Sequence, residues 1–243
     1  MRILLALFVA SLAWSQTSPN LNGIWKANND KSKFARPLGD AEYTVRIEQN
    51  GPVVKQEFIT MGPHVDHRMT SMYNTSEPES TNTVRGNKVV SKAAWSDGSL
   101  VITTGNAQEK WTLSPDNNTL TVARTGGRDA ENIVLERQPE SAAEIFTRTP
   151  RTAKEVYKNV QELNIPAYQL GDTMEFYTKA LGVHCAYCHV QGKFDSDDVP
   201  KKAVARKMIH MAQAINRDNF RDHNVVTCYT CHRGKQEPER MGQ

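Results

Sequence analysis

The sequence predicts an α+β protein of two domains, an N-terminal antiparallel β-barrel or sandwich followed by a mostly α-helical C-terminal domain. Three observations carry this. From about residue 20 to 138, short runs of alternating polar and apolar residues are separated by turn-forming dipeptides. From 170 onward, apolar residues recur at helical spacing in two long segments. All four cysteines of the 243-residue chain fall in two Cys-x-x-Cys-His pentads, each close behind one of those segments.

In chain order, "MRILLALFVASLAWS" has one basic residue, Arg2, before an apolar run from Ile3 to Trp14. A small-x-small site follows at Ala13-Trp14-Ser15, so residues 1–15 read as an export signal and the mature protein as exported or periplasmic. The run is too short for a bilayer span, and no later segment is apolar enough to replace it.

Residues 20–138 hold the β domain. Thr44-Val45-Arg46-Ile47-Glu48 and Thr119-Leu120-Thr121-Val122-Ala123 alternate as half-buried strands do. Asn50-Gly51, Gly86-Asn87, Asp97-Gly98 and Asp116-Asn117-Asn118 are hairpin punctuation. Trp25, Trp95 and Trp111 are expected in its core. The opening "LNGIWKANNDKSKF" resembles the first strand of lipocalin-like domains, in which a Gly-x-Trp starts the barrel. No catalytic triad, phosphate loop or metal cluster is visible in this half. Residues 139–150 read as a polar, proline-containing linker, and Val156, Val160 and Leu163 are spaced for a helix that starts the second domain at 151.

The pentads, Cys185 to His189 and Cys228 to His232, carry the chemistry. Residues at i, i+3 and i+4 of a helical turn share a face, so two thiols and an imidazole point the same way. Thiols so spaced can add to the two vinyl groups of a haem, and the histidine then lies under the iron; this is the attachment signature of c-type haem. A redox disulfide would not need the histidine, and a four-cysteine zinc site would leave both histidines unexplained. Two covalent haems are the expected cofactors.

Each iron also needs a sixth ligand, or an open position. Leu170, Met174, Tyr177 and Leu181 form the apolar face of a helix ending at Gly182. Val204, Met208, Met211 and Ile215 form that of the next helix, where periodicity alone does not choose between Met208 and Met211. His184, His210 and His223 read as ordinary polar residues, with His210 a fallback ligand, and His64 and His67 as surface residues. Lys201, Lys202, Arg206 and Lys207 read as a basic patch on the second helix, and Asp195 to Asp198 as a solvated loop.

"ALGVHCAYCHV", "ARKMIHMAQAINRDNF" and "VTCYTCHRG", in helix–turn–pentad order, resemble the haem-binding repeat of photosynthetic reaction-centre cytochrome c subunits over residues 150–235. The resemblance implies a dihaem cytochrome c domain over 151–243, with Met174 as sixth ligand of the first iron. It implies Met211, five residues before Asn216, for the second, with Met208 the alternative. The family's founding members carry four haems, whereas this chain has two pentads. The implied function is an electron carrier rather than an enzyme, passing single electrons between redox protein partners, a membrane electron-transfer complex among the candidates. A dihaem peroxidase and a haem-containing ligand-binding or sensing protein are the competing readings. A formal charge of +3 without a long basic block excludes nucleic acid as a natural partner.

Overall fold

The computed structural model describes residues 18–84, 87–127 and 130–239. The export-signal segment, 1–15, and Gly86 of the second hairpin lie outside the described residues.

Ten strands form one antiparallel sheet: β1 (Gly23–Ala27), β2 (Glu42–Asn50), β3 (Val53–Gly62), β4 (Val65–Asn74), β5 (Ser80–Val84), β6 (Asn87–Ser96), β7 (Ser99–Thr104), β8 (Ala107–Leu113), β9 (Thr119–Thr125) and β10 (Glu131–Gln138). Their order, β4-β3-β2-β1-β10-β9-β8-β7-β6-β5, is a simple up-and-down meander. Strand β1 pairs with both β2 and β10, which closes the sheet into a nearly complete barrel with its seam between β4 and β5. Side chains bridge that seam. The Asn82 amide imitates a peptide, accepting from the Met72 N–H at 2.7 Å and donating to the Met72 carbonyl at 3.0 Å, while Ser80 Oγ accepts from the Asn74 N–H at 2.8 Å. Polar groups at a strand edge are thereby satisfied where no backbone partner is in register.

Period-two patterning fills the interior. Tyr43, Val45 and Ile47 of β2, Leu100 and Ile102 of β7, Leu120 and Val122 of β9, and Ile133 and Leu135 of β10 form one core with Trp25 and Trp111. The two tryptophans are fully buried, as expected, and Trp95 packs on the same core from a partly buried position. The Trp25 indole donates to the Leu21 carbonyl at 3.0 Å, and the Arg137 guanidinium lies 4.1 Å above its ring. Asp97 and Gly98 both take positive φ (48° and 71°), as a two-residue hairpin turn matched to strand twist requires. A charged cluster lies half-buried at the edge of this core: Arg124 donates to Glu109 at 3.0 Å and to Glu131 at 2.7 Å. Beside it, burial pushes the Tyr43 phenol up to about 12, against the pull of Arg124.

The helical region follows β10. A 3-10 turn (Glu140–Phe146) leads to α1 (Ala153–Val156), closed at its start by a Thr152–Glu155 capping box. The helix expected through Val160 and Leu163 is not formed beyond this one turn. Tyr157 turns extended (φ −112°, ψ 142°) and Asn159 takes φ +60°, so the chain leaves the helix, although Val156 and Leu163 are still buried. Beyond lie α2 (Leu170–Leu181), α3 (Pro200–Phe220) and α4 (Cys228–His232).

The segment joining the two regions is held to the barrel. Asp66 is fully buried; it accepts from Arg68 Nε at 3.0 Å and from the Arg151 N–H at 3.1 Å. The Arg151 guanidinium in turn donates to the carbonyls of Gly62 and Val65, both at 2.6 Å. Farther on, Asn87 of β6 bonds both Glu175 (2.7 Å) and Lys179 (2.6 Å) of α2. His64 is exposed, but His67 is half-buried, its ring 5.4 Å from that of Phe58; period two on β4 turns it to the inner face.

Candidate functional site

Each pentad forms a single helical turn, as the spacing requires. Residues Cys185–Tyr187 make a 3-10 turn, and the His189 N–H closes on the Cys185 carbonyl at 3.0 Å, gathering Cys185, Cys188 and His189. In α4, Cys228, Cys231 and His232 are gathered likewise, behind a reciprocal Thr227–Thr230 cap. No disulfide joins the four cysteines. Burial raises the Cys188 and Cys228 thiols above the ordinary range.

Both histidine rings are oriented in the same way. His189 Nδ1 lies 3.1 Å from the Phe194 carbonyl oxygen, and His232 Nδ1 lies 3.0 Å from that of Lys235. A carbonyl only accepts, so Nδ1 carries the proton and the Nε2 lone pair is left to bind a metal. Burial holds His189 below the usual histidine range, with Lys202 and Arg206 pushing the same way and only the bond to Phe194 opposing. The ring is therefore neutral near pH 7, the form a metal needs.

The surroundings of the turns fit a large apolar cofactor. Val204, Met208 and Met211, the stripe expected to be covered, are 51%, 40% and 45% exposed. Phe176, Phe194, Phe220, Val225 and Tyr229 of the same helical region are exposed as well. Among the described residues, the other exposed large hydrophobic side chains are Met72 and Val90. Exposed apolar side chains gathered in the stretch of chain that carries two thiol–imidazole turns are what a haem plane would cover. Among the described residues no three His, Cys, Asp or Glu side chains converge as a cage for a bare metal ion, so the four-cysteine zinc arrangement is not assembled.

Helix α2 ends as its sequence predicts, with Gly182 at φ +66°. That glycine has a second role that no local pattern showed. A Cβ there would lie 2.1 Å from the Gly234 carbonyl oxygen, and the Gly234 N–H donates to the Ala180 carbonyl at 2.9 Å. The helix before the first pentad thus rests directly on the turn after the second. Tyr177 of α2 is part of this contact: burial, helped by neighbouring Cys228, pushes its phenol up to about 12. Helix α3 is tied to the same approach by Asn216, whose side chain donates to the Val226 carbonyl (2.7 Å) and accepts from its N–H (2.8 Å).

Met174 lies half-buried on α2, whereas Met208 and Met211 are both exposed on α3. His184 and His223 are exposed, and His210 Nδ1 lies 3.6 Å from the Glu162 carboxylate. The expected basic patch is divided. Lys202 is buried, its ammonium within 3.0 Å of the Phe194 carbonyl, 2.8 Å of the Ser196 carbonyl and 3.1 Å of Asp197. The acidic loop is correspondingly more than solvated, since Asp197 also accepts from Arg206 and Asn159. The roles of Phe194 and Lys235 escaped the sequence because they act through backbone carbonyls, which no side-chain pattern marks, and Lys202 read there only as part of a surface patch.

Two Cys-x-x-Cys-His turns, each with its histidine oriented by a backbone carbonyl, carry the residue types that attach c-type haem. The chain belongs to the photosynthetic reaction centre cytochrome C subunit family, whose profile matches residues 118–242, from the edge of β9 through both pentads. It is 38% identical over 108 residues to the photosynthetic reaction center cytochrome c subunit of Thermochromatium tepidum, a match taking in 42% of this chain and 26% of that protein. The corresponding subunit of Roseobacter denitrificans is 32% identical over 136 residues (48% of this chain, 37% of that one). Cytochrome c-554 of Chloroflexus aurantiacus is 38% identical over 82 residues (30% and 20%). The chain thus spans between a fifth and two-fifths of the length of these relatives. Among solved structures, a point mutant of the REP1-NXSQ fatty acid transporter superposes with a TM-score of 0.40 at 10% identity, covering 49% of this chain and 98% of its own.

Proposed function

We propose that this chain is an exported dihaem c-type cytochrome that passes single electrons between redox protein partners, with a membrane electron-transfer complex the foremost candidate. The observation that carries the reading is the repeated pentad in which each histidine has its Nδ1 proton held by a backbone carbonyl. Cys185 and Cys188, and Cys228 and Cys231, would form the thioethers; His189 and His232 would each bind iron through Nε2. Met174 would supply the distal ligand of the first site and Met211 that of the second, with Met208 the alternative. When bound, haem supplies a one-electron ferric/ferrous couple, and the chain's own part is to hold the rings, close their distal sides and exclude water. The domain division follows: a lipocalin-like barrel over 20–138 opening on Gly23-Ile24-Trp25, a linker over 139–150 and the dihaem domain from 151. Among the described residues no helix is long and apolar enough to cross a membrane.

The test is the haem content and visible spectrum of protein matured with a c-type haem attachment system. Two covalent haems per chain are expected, with one lost in Cys185→Ala/Cys188→Ala and the other in Cys228→Ala/Cys231→Ala. Carbon monoxide added to the reduced protein should leave the spectrum unchanged at both sites. Prompt binding at one site would overturn the closed carrier and favour peroxide turnover or ligand sensing there.

A further inference from the structure

The two histidines share one kind of partner but not one electrostatic setting. The Phe194 carbonyl oxygen that accepts from His189 also accepts from the ammonium of Lys202, at 3.0 Å. Lys202 is only 8% exposed and is fixed in place by two further acceptors, the Ser196 carbonyl and Asp197. The carboxylate it pairs with, Asp197, is shared with Arg206 at 3.1 Å, so the ammonium's charge is only partly balanced. At the second site the equivalent carbonyl belongs to Lys235, whose ammonium instead pairs with Glu239 at the exposed surface.

We propose, resting on the haem reading above, that Lys202 is a positioning residue that makes the first site the easier of the two to reduce. Two effects of one sign support this. A carbonyl already polarised by an ammonium accepts less from the His189 N–H, so the imidazole stays less imidazolate-like and donates less to a ferric iron. The buried positive charge also favours whichever oxidation state carries one positive charge fewer, and burial keeps salt from screening it. In the half-reduced protein the electron therefore rests at the pentad of Cys185–His189, and an electron arriving at the other pentad moves on to it: one iron goes from ferrous to ferric as the other goes from ferric to ferrous. The pair gains a direction that its repeated sequence pattern does not encode.

Spectroelectrochemical titration of the holoprotein tests this. Lys202→Met should lower one midpoint only, the one missing from Cys185→Ala/Cys188→Ala, by roughly a tenfold change in the reduced-to-oxidised ratio at fixed potential, about 59 mV for a one-electron couple. Asp197→Asn keeps the loop's hydrogen-bonding shape and leaves Lys202 less balanced, so the same midpoint should rise. Lys207→Met removes an equal but exposed charge from the same helix and should move neither. A purely structural Lys202 would not give opposite shifts. Unmoved midpoints in both variants, or shifts of the same sign, overturn the assignment while leaving the dihaem reading intact; if Lys202→Met does not take up haem, the direction of the Asp197→Asn shift decides. A wild-type protein without covalent haem would instead overturn the reading on which the assignment rests.

Discussion

Replacing Gly182 with alanine tests whether the first helix and the second pentad are one packed unit. The added methyl group would sit 2.1 Å from the Gly234 carbonyl oxygen, which is backbone and cannot rotate aside. An L-residue at φ +66° costs about 1 kcal/mol before any contact is considered. Relieving the clash takes roughly 1 Å of separation, which forfeits the 2.9 Å bond between Gly234 and Ala180, about 1 kcal/mol, and loosens Tyr177 from Cys228, in the range of 1–3 kcal/mol for overpacked cores. The total is on the order of 4 kcal/mol. Gly171→Ala in the same helix is the control: nothing lies within 4 Å of its Cβ position and its φ is not positive, so it should be neutral or stabilise by about 0.5 kcal/mol. Urea denaturation of the holoprotein, followed by helix signal and by haem absorbance, reads both variants. If Gly182→Ala unfolds at the wild-type midpoint, the two sites are not packed through this contact and the argument fails.

Two further predictions concern the barrel and its fastening. Asp66→Ala leaves Arg68 and Arg151 without their shared carboxylate and should cost about 3 kcal/mol, against markedly less for Asp66→Asn, which keeps an acceptor; equal midpoints for wild type and Asp66→Ala in thermal unfolding would count against the fastening. Tyr43 is raised to about 12 when folded from about 10 when unfolded, so the folded protein holds the extra proton between those values. Its stabilisation is fully present below pH 10 and is lost as pH rises toward 12. Tyr177 titrates in the same window, so alkaline unfolding of Tyr43→Phe should be shallower than that of wild type, not flat; identical profiles would show that the Tyr43 phenol is not buried beside Arg124.

Much of this protein is legible along the chain because its determinants are local. Turn dipeptides such as Asp97-Gly98 set hairpins through backbone angles that only a few residues adopt. Alternation in β2 and β9 sets which side chains enter the core, and the pentads bring their thiols and imidazole together within one turn. Reading failed where a local signal had to compete with something distant. Val156, Val160 and Leu163 have helical spacing, yet the chain leaves the helix at Tyr157. Asp195 to Asp198 and Lys201 to Lys207 have the composition of solvated surface. Tertiary contact nevertheless buries Lys202 under Phe194 and gives Asp197 three partners.

The sequence by itself determined the two Cys-x-x-Cys-His turns, the order of helix and pentad, and the strand pattern of the barrel, because each depends on spacing within a few residues. Tertiary structure decided that the strands close between β1 and β10 with a side-chain seam at β4 and β5, since pairing partners more than a hundred residues apart leave no mark on local periodicity. It also decided that α2 rests on the second pentad rather than only leading into the first, through the approach of Gly182 to Gly234. And it decided that two identical motifs are electrostatically unequal, because a buried ammonium from α3 reaches the carbonyl behind one histidine and an exposed lysine turns away from the other. Charge acts through space, and only the folded chain sets those distances.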